Sequence, residues 1–180
     1  YRLLCEVAPF DESTLQRELK QLVEAELIFQ RGRFPRATFL FKHALVQDTA
    51  CESLLRRHRQ KWHGKIAEAL LEKFADVAAA EPEVIARHFD EAKQTEQAVE
   101  WWTKAALLAQ EQSAHDAAIN HFQRALILTE QIEREDTKLA AEFRIQAPLG
   151  VSVLSTQGYA APQVGPIFER ARELSERFGG

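Results

Sequence analysis

One hundred and eighty residues at 46% hydrophobic composition are enough to bury one or two compact cores, which excludes disorder for the bulk of the chain. A net charge of −4 and a pI near 5.9 give no general attraction to nucleic acid or to an anionic membrane. No stretch reaches the roughly twenty apolar residues of a bilayer span and no signal peptide is visible, so a cytoplasmic chain without membrane contact is expected. Cys5 and Cys51 lie in apolar, helix-like surroundings without CxxC or Cys/His spacing, and read as buried free thiols rather than a disulfide. The chain has no methionine, opens inside a helical pattern at Tyr1–Leu4 and ends on Gly179–Gly180, which predicts a segment of a longer protein.

Tyr1 to Val7 reads as the tail of a helix that Pro9 ends. A second helix is predicted from Asp11, where Asp11, Ser13 and Thr14 offer caps, with an apolar stripe of Leu15, Leu19, Leu22 and Val23. Two β-prone runs follow, Leu27–Gln30 and Thr38–Phe41, around a connection holding Gly32 and Pro35; this predicts a hairpin. Helix, helix, hairpin is the back half of a winged helix, with Arg31, Arg33 and Arg36 on the wing. DNA binding is nevertheless not expected, because the second helix carries Asp11, Glu12, Glu18, Glu24 and Glu26 against Arg17 and Lys20, which repels phosphate.

His43 stands where the strand-like run hands over to a helix, near free backbone donors. The pattern continues through Leu45, Val46, Thr49, Leu54 and Leu55 into the basic run Arg56–Lys61, and then into a stripe of Trp62, Ile66, Ala69, Leu70 and Phe74. The basic run reads as a solvated helix face rather than a nucleic-acid patch. His58 and His63 are five apart, which does not match the i, i+4 spacing of two helical metal ligands, so no metal site is expected.

From residue 81 the grammar is helical. Pro82 suits a first helical turn before Val84, Ile85 and Phe89; Thr95 is expected to cap the next helix, and Ser113 with Asp116 the one after. Ala98-x3-Trp102-x2-Ala105 recurs as Ala118-x3-Phe122-x2-Ala125, the small/aromatic/small arrangement by which helices approach closely around a ring. Aligned to a tetratricopeptide of roughly 34 residues, residues 99–132 match with Trp102, Ala106, Ala118, Phe122 and Ala125, while the terminal proline is absent. Pro148 and Gly150 are expected to kink or divide a further helix. Pro162 is expected to start the last, with Val164, Ile167, Phe168, Ala171, Leu174 and Phe178 on its buried side. Adjacent helical residues point about 100° apart, so Trp101 and Trp102 make no shared stacking platform; Trp102 belongs to the core and Trp101 to a neighbouring-helix contact. His88, His115 and His121 share no spacing signal and read as surface or groove residues.

The run Phe41-Lys42-His43-Ala44-Leu45-Val46-Gln47-Asp48, with Ser53–Leu55, Arg59, Trp62–Leu70, Gln157–Pro162 and Arg170–Arg172, resembles the region after the nucleotide-binding core of bacterial STAND-type signalling ATPases. It is most similar to the ATPase-fused class III adenylate/guanylate cyclase family. The resemblance implies a mainly α fold: a partial winged-helix-like domain at 1–42, connecting helices at 43–80, and a tetratricopeptide-like antiparallel helical-repeat array at 81–180. It also implies that His43 senses nucleotide by reaching the β-phosphate of a bound diphosphate, although Ala44 stands where an aspartate often follows. The alternative is a structural histidine that caps the helix or fills a domain interface.

No GxxxxGK[ST] phosphate loop, nucleophile elbow or ligand set is present, so no catalytic residue and no cofactor is expected in this segment. ATP or ADP with magnesium, and any cyclase activity, are expected in an upstream core. The expected role is a regulatory and protein-interaction segment that couples a helical-repeat sensor to that core. Its partner is expected to be a protein, a peptide or another domain of the same chain. The alternative is a transcriptional regulator with a DNA-binding winged helix and a repeat-type sensor.

Overall fold

The computed structural model describes residues 1–178 and is mainly helical with one antiparallel two-stranded hairpin. It forms two compact units, Tyr1–Phe74 and a second that begins at Ala75. The first holds α1 (Arg2–Val7), α2 (Glu12–Glu24), β1 (Ile28–Arg31), β2 (Thr38–Phe41), α3 (Ala44–Ser53) and α4 (Arg56–Lys73).

Helix α2 starts where extended Asp11 accepts the Thr14 N–H at 3.0 Å. The Ser13 hydroxyl, then the Thr14 amide, holds the Asp11 carboxyl well below the usual carboxylate range. It stops where Glu26 takes φ +60° and the Leu27 N–H reaches back to the Leu22 carbonyl at 3.0 Å, a Schellman ending. The hairpin pairs Ile28 with Phe41 and Arg31 with Thr38. Leu15, Leu19 and Ile28 form its small core with Leu4, Cys5, Val23 and Phe39 packed round them.

Three expectations for this unit are corrected. Leu22 is 40% exposed, because the core lies on the Leu15/Leu19 side of α2. Cys51 is an exposed thiol on α3, a helix that buries none of its residues, whereas Cys5 is half-buried. The buried line of α4 is Gly64, Ala67 and Leu70, with Trp62, Ile66, Ala69 and Phe74 only half-buried beside it. Small residues at that line suit the close approach of α1, whose Arg2 sits over the Phe74 ring at 5.2 Å.

The second unit is a run of helices: α5 (Ala75–Ala80), α6 (Pro82–Glu91), α7 (Thr95–Glu111), α8 (His115–Thr129), α9 (Glu135–Gln157) and α10 (Val164–Phe178). From α5 onward each packs on the next, and α7 also touches α9. All six small/aromatic/small positions, Ala98, Trp102, Ala105, Ala118, Phe122 and Ala125, are buried. Their spacing of 20 residues runs further than those two helices. Ile85, Ala105, Ala125 and Ile145 are each at most 3% exposed, and Phe89, Ala109, Thr129 and Leu149 are likewise buried. One register therefore threads four successive helices, with Phe122 fully enclosed at its centre; truncating such a ring costs about 3–5 kcal/mol.

Neither Thr95 nor Ser113 caps a helix. Gln94 and Ala114 hold the N-cap positions without side-chain bonds. The preceding residues Lys93 and Ser113 take φ near +60° to end α6 and α7, with Gln94 N–H on the Phe89 carbonyl and Ala114 N–H on the Ala109 carbonyl. Helix α9 is not divided. Pro148 removes one backbone donor, yet its own carbonyl accepts from the Gln110 side chain, and Leu139, Ile145, Leu149 and Val153 are buried on both sides of it. Helix α9 ends at Gly158, with φ +77°, and α10 begins at Val164 rather than Pro162. Val164 and Leu174 are its buried residues; Phe168 and Phe178 stay 38% and 45% exposed, Phe178 against Phe143. His121 is half-buried: it stacks on Trp102 with ring centroids 5.2 Å apart, and burial lowers its pKa.

Candidate functional site

Two places carry the sequence-derived expectations, one in each unit. In the first, His43 occupies the N-cap position of α3 in an extended conformation, and its carbonyl accepts the Val46 and Gln47 N–H groups. It caps the helix through its backbone, while its imidazole is exposed and makes no capping bond. The flanking sequence is basic and apolar together: Leu45 is 79% exposed and Leu55 58%. Arg31, Arg33, Arg36, Arg56 and Arg57 are exposed and none is in an ion pair among the described residues.

In the second unit a cleft of about 620 Å³ opens between α7 and α9. The α7 wall is Glu96, Val99, Glu100, Thr103 and Lys104; the α9 wall is Asp136, Thr137, Ala140, Ala141 and Arg144. Ile132, from the turn before α9, completes it and is itself buried, as is Val99. Glu96 and Asp136 share the cleft near the two helix starts, while Gln110 near the end of α7 donates to the Pro148 carbonyl and Ser152 Oγ of α9, each at 3.0 Å. The two helices therefore run parallel at an offset near 40 residues, twice the 20-residue register.

That offset sorts the charges. Glu96 lies level with Asp136, and Lys104 level with Arg144, about 12 Å further along at 1.5 Å per residue. Lys104 is held by Glu100 at 2.8 Å and lies over the Trp101 ring at 4.0 Å. Glu96, Asp136 and Arg144 are exposed and in no ion pair among the described residues. The register supplies the reason for Arg144. Its equivalent 20 residues earlier, Arg124, forms a salt bridge from α8 to Asp90 of α6 at 2.6 Å. The equivalent of Asp90 is Gln110, which is neutral and engaged with Pro148 and Ser152.

Sequence reasoning placed the core of this array but named none of the cleft's charged residues. The spacing of Asp90 to Gln110 against Arg124 to Arg144 holds the signal, once the 20-residue register is extended beyond two helices. Among the described residues no group of three or more His, Cys, Asp or Glu is placed to share a metal ion, and no helix is long and apolar enough to cross a membrane.

No family model matches the chain, and no solved structure matches it. It is similar to an uncharacterized protein of Rhizobium meliloti, at 27% identity over 169 residues. That match covers 93% of this chain and 16% of the relative, so the chain corresponds to about one-sixth of the longer protein's length.

Proposed function

We propose that the chain is a non-catalytic regulatory and protein-interaction segment in which the helical array binds a peptide, or an extended stretch of another domain, in the α7/α9 cleft. The observation that carries this reading is the cleft itself: two parallel helices present a buried apolar floor, Val99 and Ile132, between walls of exposed charge. Parallel alternate helices lining one groove are what a tetratricopeptide-like array offers an extended ligand. The two-helix unit here is 40 residues, longer than the roughly 34 of a tetratricopeptide, so the likeness is to the stacking rather than to the repeat length.

The first unit, read as a partial winged helix with His43 at its strand-to-helix joint, would pass the state of the array to a nucleotide-binding core of the STAND ATPase or cyclase type. The exposed, unpaired arginines of the hairpin connection favour the second reading, a DNA-binding regulator. Against it stand the five carboxylates on and beside α2.

The test of the cleft is steric. Ala140 lines the α9 wall, so Ala140→Arg fills the groove from a half-buried position. Short random peptides displayed on phage and selected on the wild-type chain should lose binding to Ala140→Arg. A selected pool that binds both chains equally places the interaction elsewhere.

A further inference from the structure

Reading the cleft as a peptide site, we infer that its occupant is an extended segment bearing a cationic and an anionic side chain about four residues apart, the anion on Arg144 and the cation beside Glu96 and Asp136. The inference rests on that reading and adds the partner's charge order. Arg144 is the only cation of the cleft outside an ion pair among the described residues, since Lys104 is bound to Glu100. A guanidinium in that position presents a planar fork to a carboxylate. At the other end, Glu96 and Asp136 stand level on the two walls with no Lys or Arg bound to either, so an incoming ammonium or guanidinium would meet two carboxylates.

The spacing follows from the helices. Eight residues separate Glu96 from Lys104 and Asp136 from Arg144, which is about 12 Å of helix axis. An extended strand covers that length in about four residues at about 3.3 Å each. Residues i and i+4 of a strand point to the same side, so both charges enter the cleft together, and the residue midway between them faces Val99 and Ala140. A segment with both charges of one sign would leave one end of the cleft repelled.

The probes are fluorescein-labelled, end-blocked peptides with an Arg-Ala-Leu-Ala-Glu centre, its reverse, and the Arg-to-Glu and Glu-to-Arg uniform-charge versions, titrated by anisotropy against the whole chain. One of the two mixed-charge orders should bind at least about tenfold tighter than either uniform-charge peptide, and raising the salt should narrow the gap. Arg144→Glu should reverse the preference toward the doubly cationic peptide, and Glu96→Lys with Asp136→Lys toward the doubly anionic one. All three sites are exposed, so the substitutions leave the core untouched.

Equal binding of all four peptides that Ala140→Arg still abolishes overturns the charge order and leaves the peptide groove standing. Failure of every peptide, in displayed pools as well as in titration, overturns both. Self-association of the chain that Ala140→Arg abolishes would put a second copy in the cleft and overturn the assignment of a peptide segment.

Discussion

At Gly150 the α9 backbone lies so close to α10 that a Cβ would stand 2.8 Å from Cζ of the Phe168 ring and about as near two other ring carbons. Alanine is the better helix former by about 1 kcal/mol, so propensity alone predicts stabilisation. The contact predicts the reverse: Gly150→Ala should cost about 1–3 kcal/mol, as overpacking does, read as a lowered urea midpoint. Phe168→Leu in the same chain should return part of the loss. A raised midpoint for Gly150→Ala alone would mean that Phe168, 38% exposed, swings aside freely. Nothing in the sequence near Gly150 separates a helix breaker from a helix contact. Its partner is 18 positions away, and only the packing of two helices brings them together.

Between elements, the packing of α10 on α9 is joined by a charge pair, Arg170 with Glu142. Arg170 donates Nε to Glu142 Oε1 at 2.7 Å and Nη2 to Oε2 at 2.8 Å, a bidentate fork. The bonds from Arg170 hold the Glu142 carboxyl below its ordinary pKa, and Glu142 in turn raises that of Arg170. A carboxylate with a depressed folded pKa adds stability above the unfolded value, about 4.3, and loses it as the pH falls through the folded one. Arg170→Leu should therefore cost about 1 kcal/mol near pH 7, the partial exposure of Arg170 screening the pair. The gap from wild type in urea midpoints should close below pH 4. A gap that persists in acid assigns the loss to the packing of the Arg170 stem.

Most elements were legible at this scale because apolar spacing reports which face is buried: α2, the hairpin, and the α7/α8 core positions fall where the pattern put them. Asp11 and Pro82 start α2 and α6 as expected, but the starts of α7 and α8 were not legible. Lys93 and Ser113 close their helices in a conformation that glycine usually supplies, so Thr95 and Ser113 read as caps although neither is one. The charges of the cleft were hidden for a different reason: Arg144 matters through its lack of a partner, which shows in the sequence only when the pairing of Asp90 with Arg124 is carried 20 residues on to Gln110 and Arg144.

For the whole molecule, charge is divided along the chain. Between Leu27 and Ala67 there are nine Lys and Arg against Asp48 and Glu52, in a protein whose net charge is −4. A positive, partly apolar stretch of this kind attracts phosphate-bearing groups over several ångströms, and exposed His43 falls within it in the sequence, with a ring that makes no hydrogen bond or ion pair among the described residues. In a protein that joins this chain to a nucleotide-binding core, His43→Leu should speed the release of bound diphosphate several-fold, measured by the chase of a fluorescent ADP analogue. The substitution is exposed and N-terminal to α3, so the fold should be indifferent to it, and unchanged thermal unfolding is the accompanying control. Faster release would make the strand-to-helix joint a sensor of nucleotide. Identical release would confine His43 to a surface role.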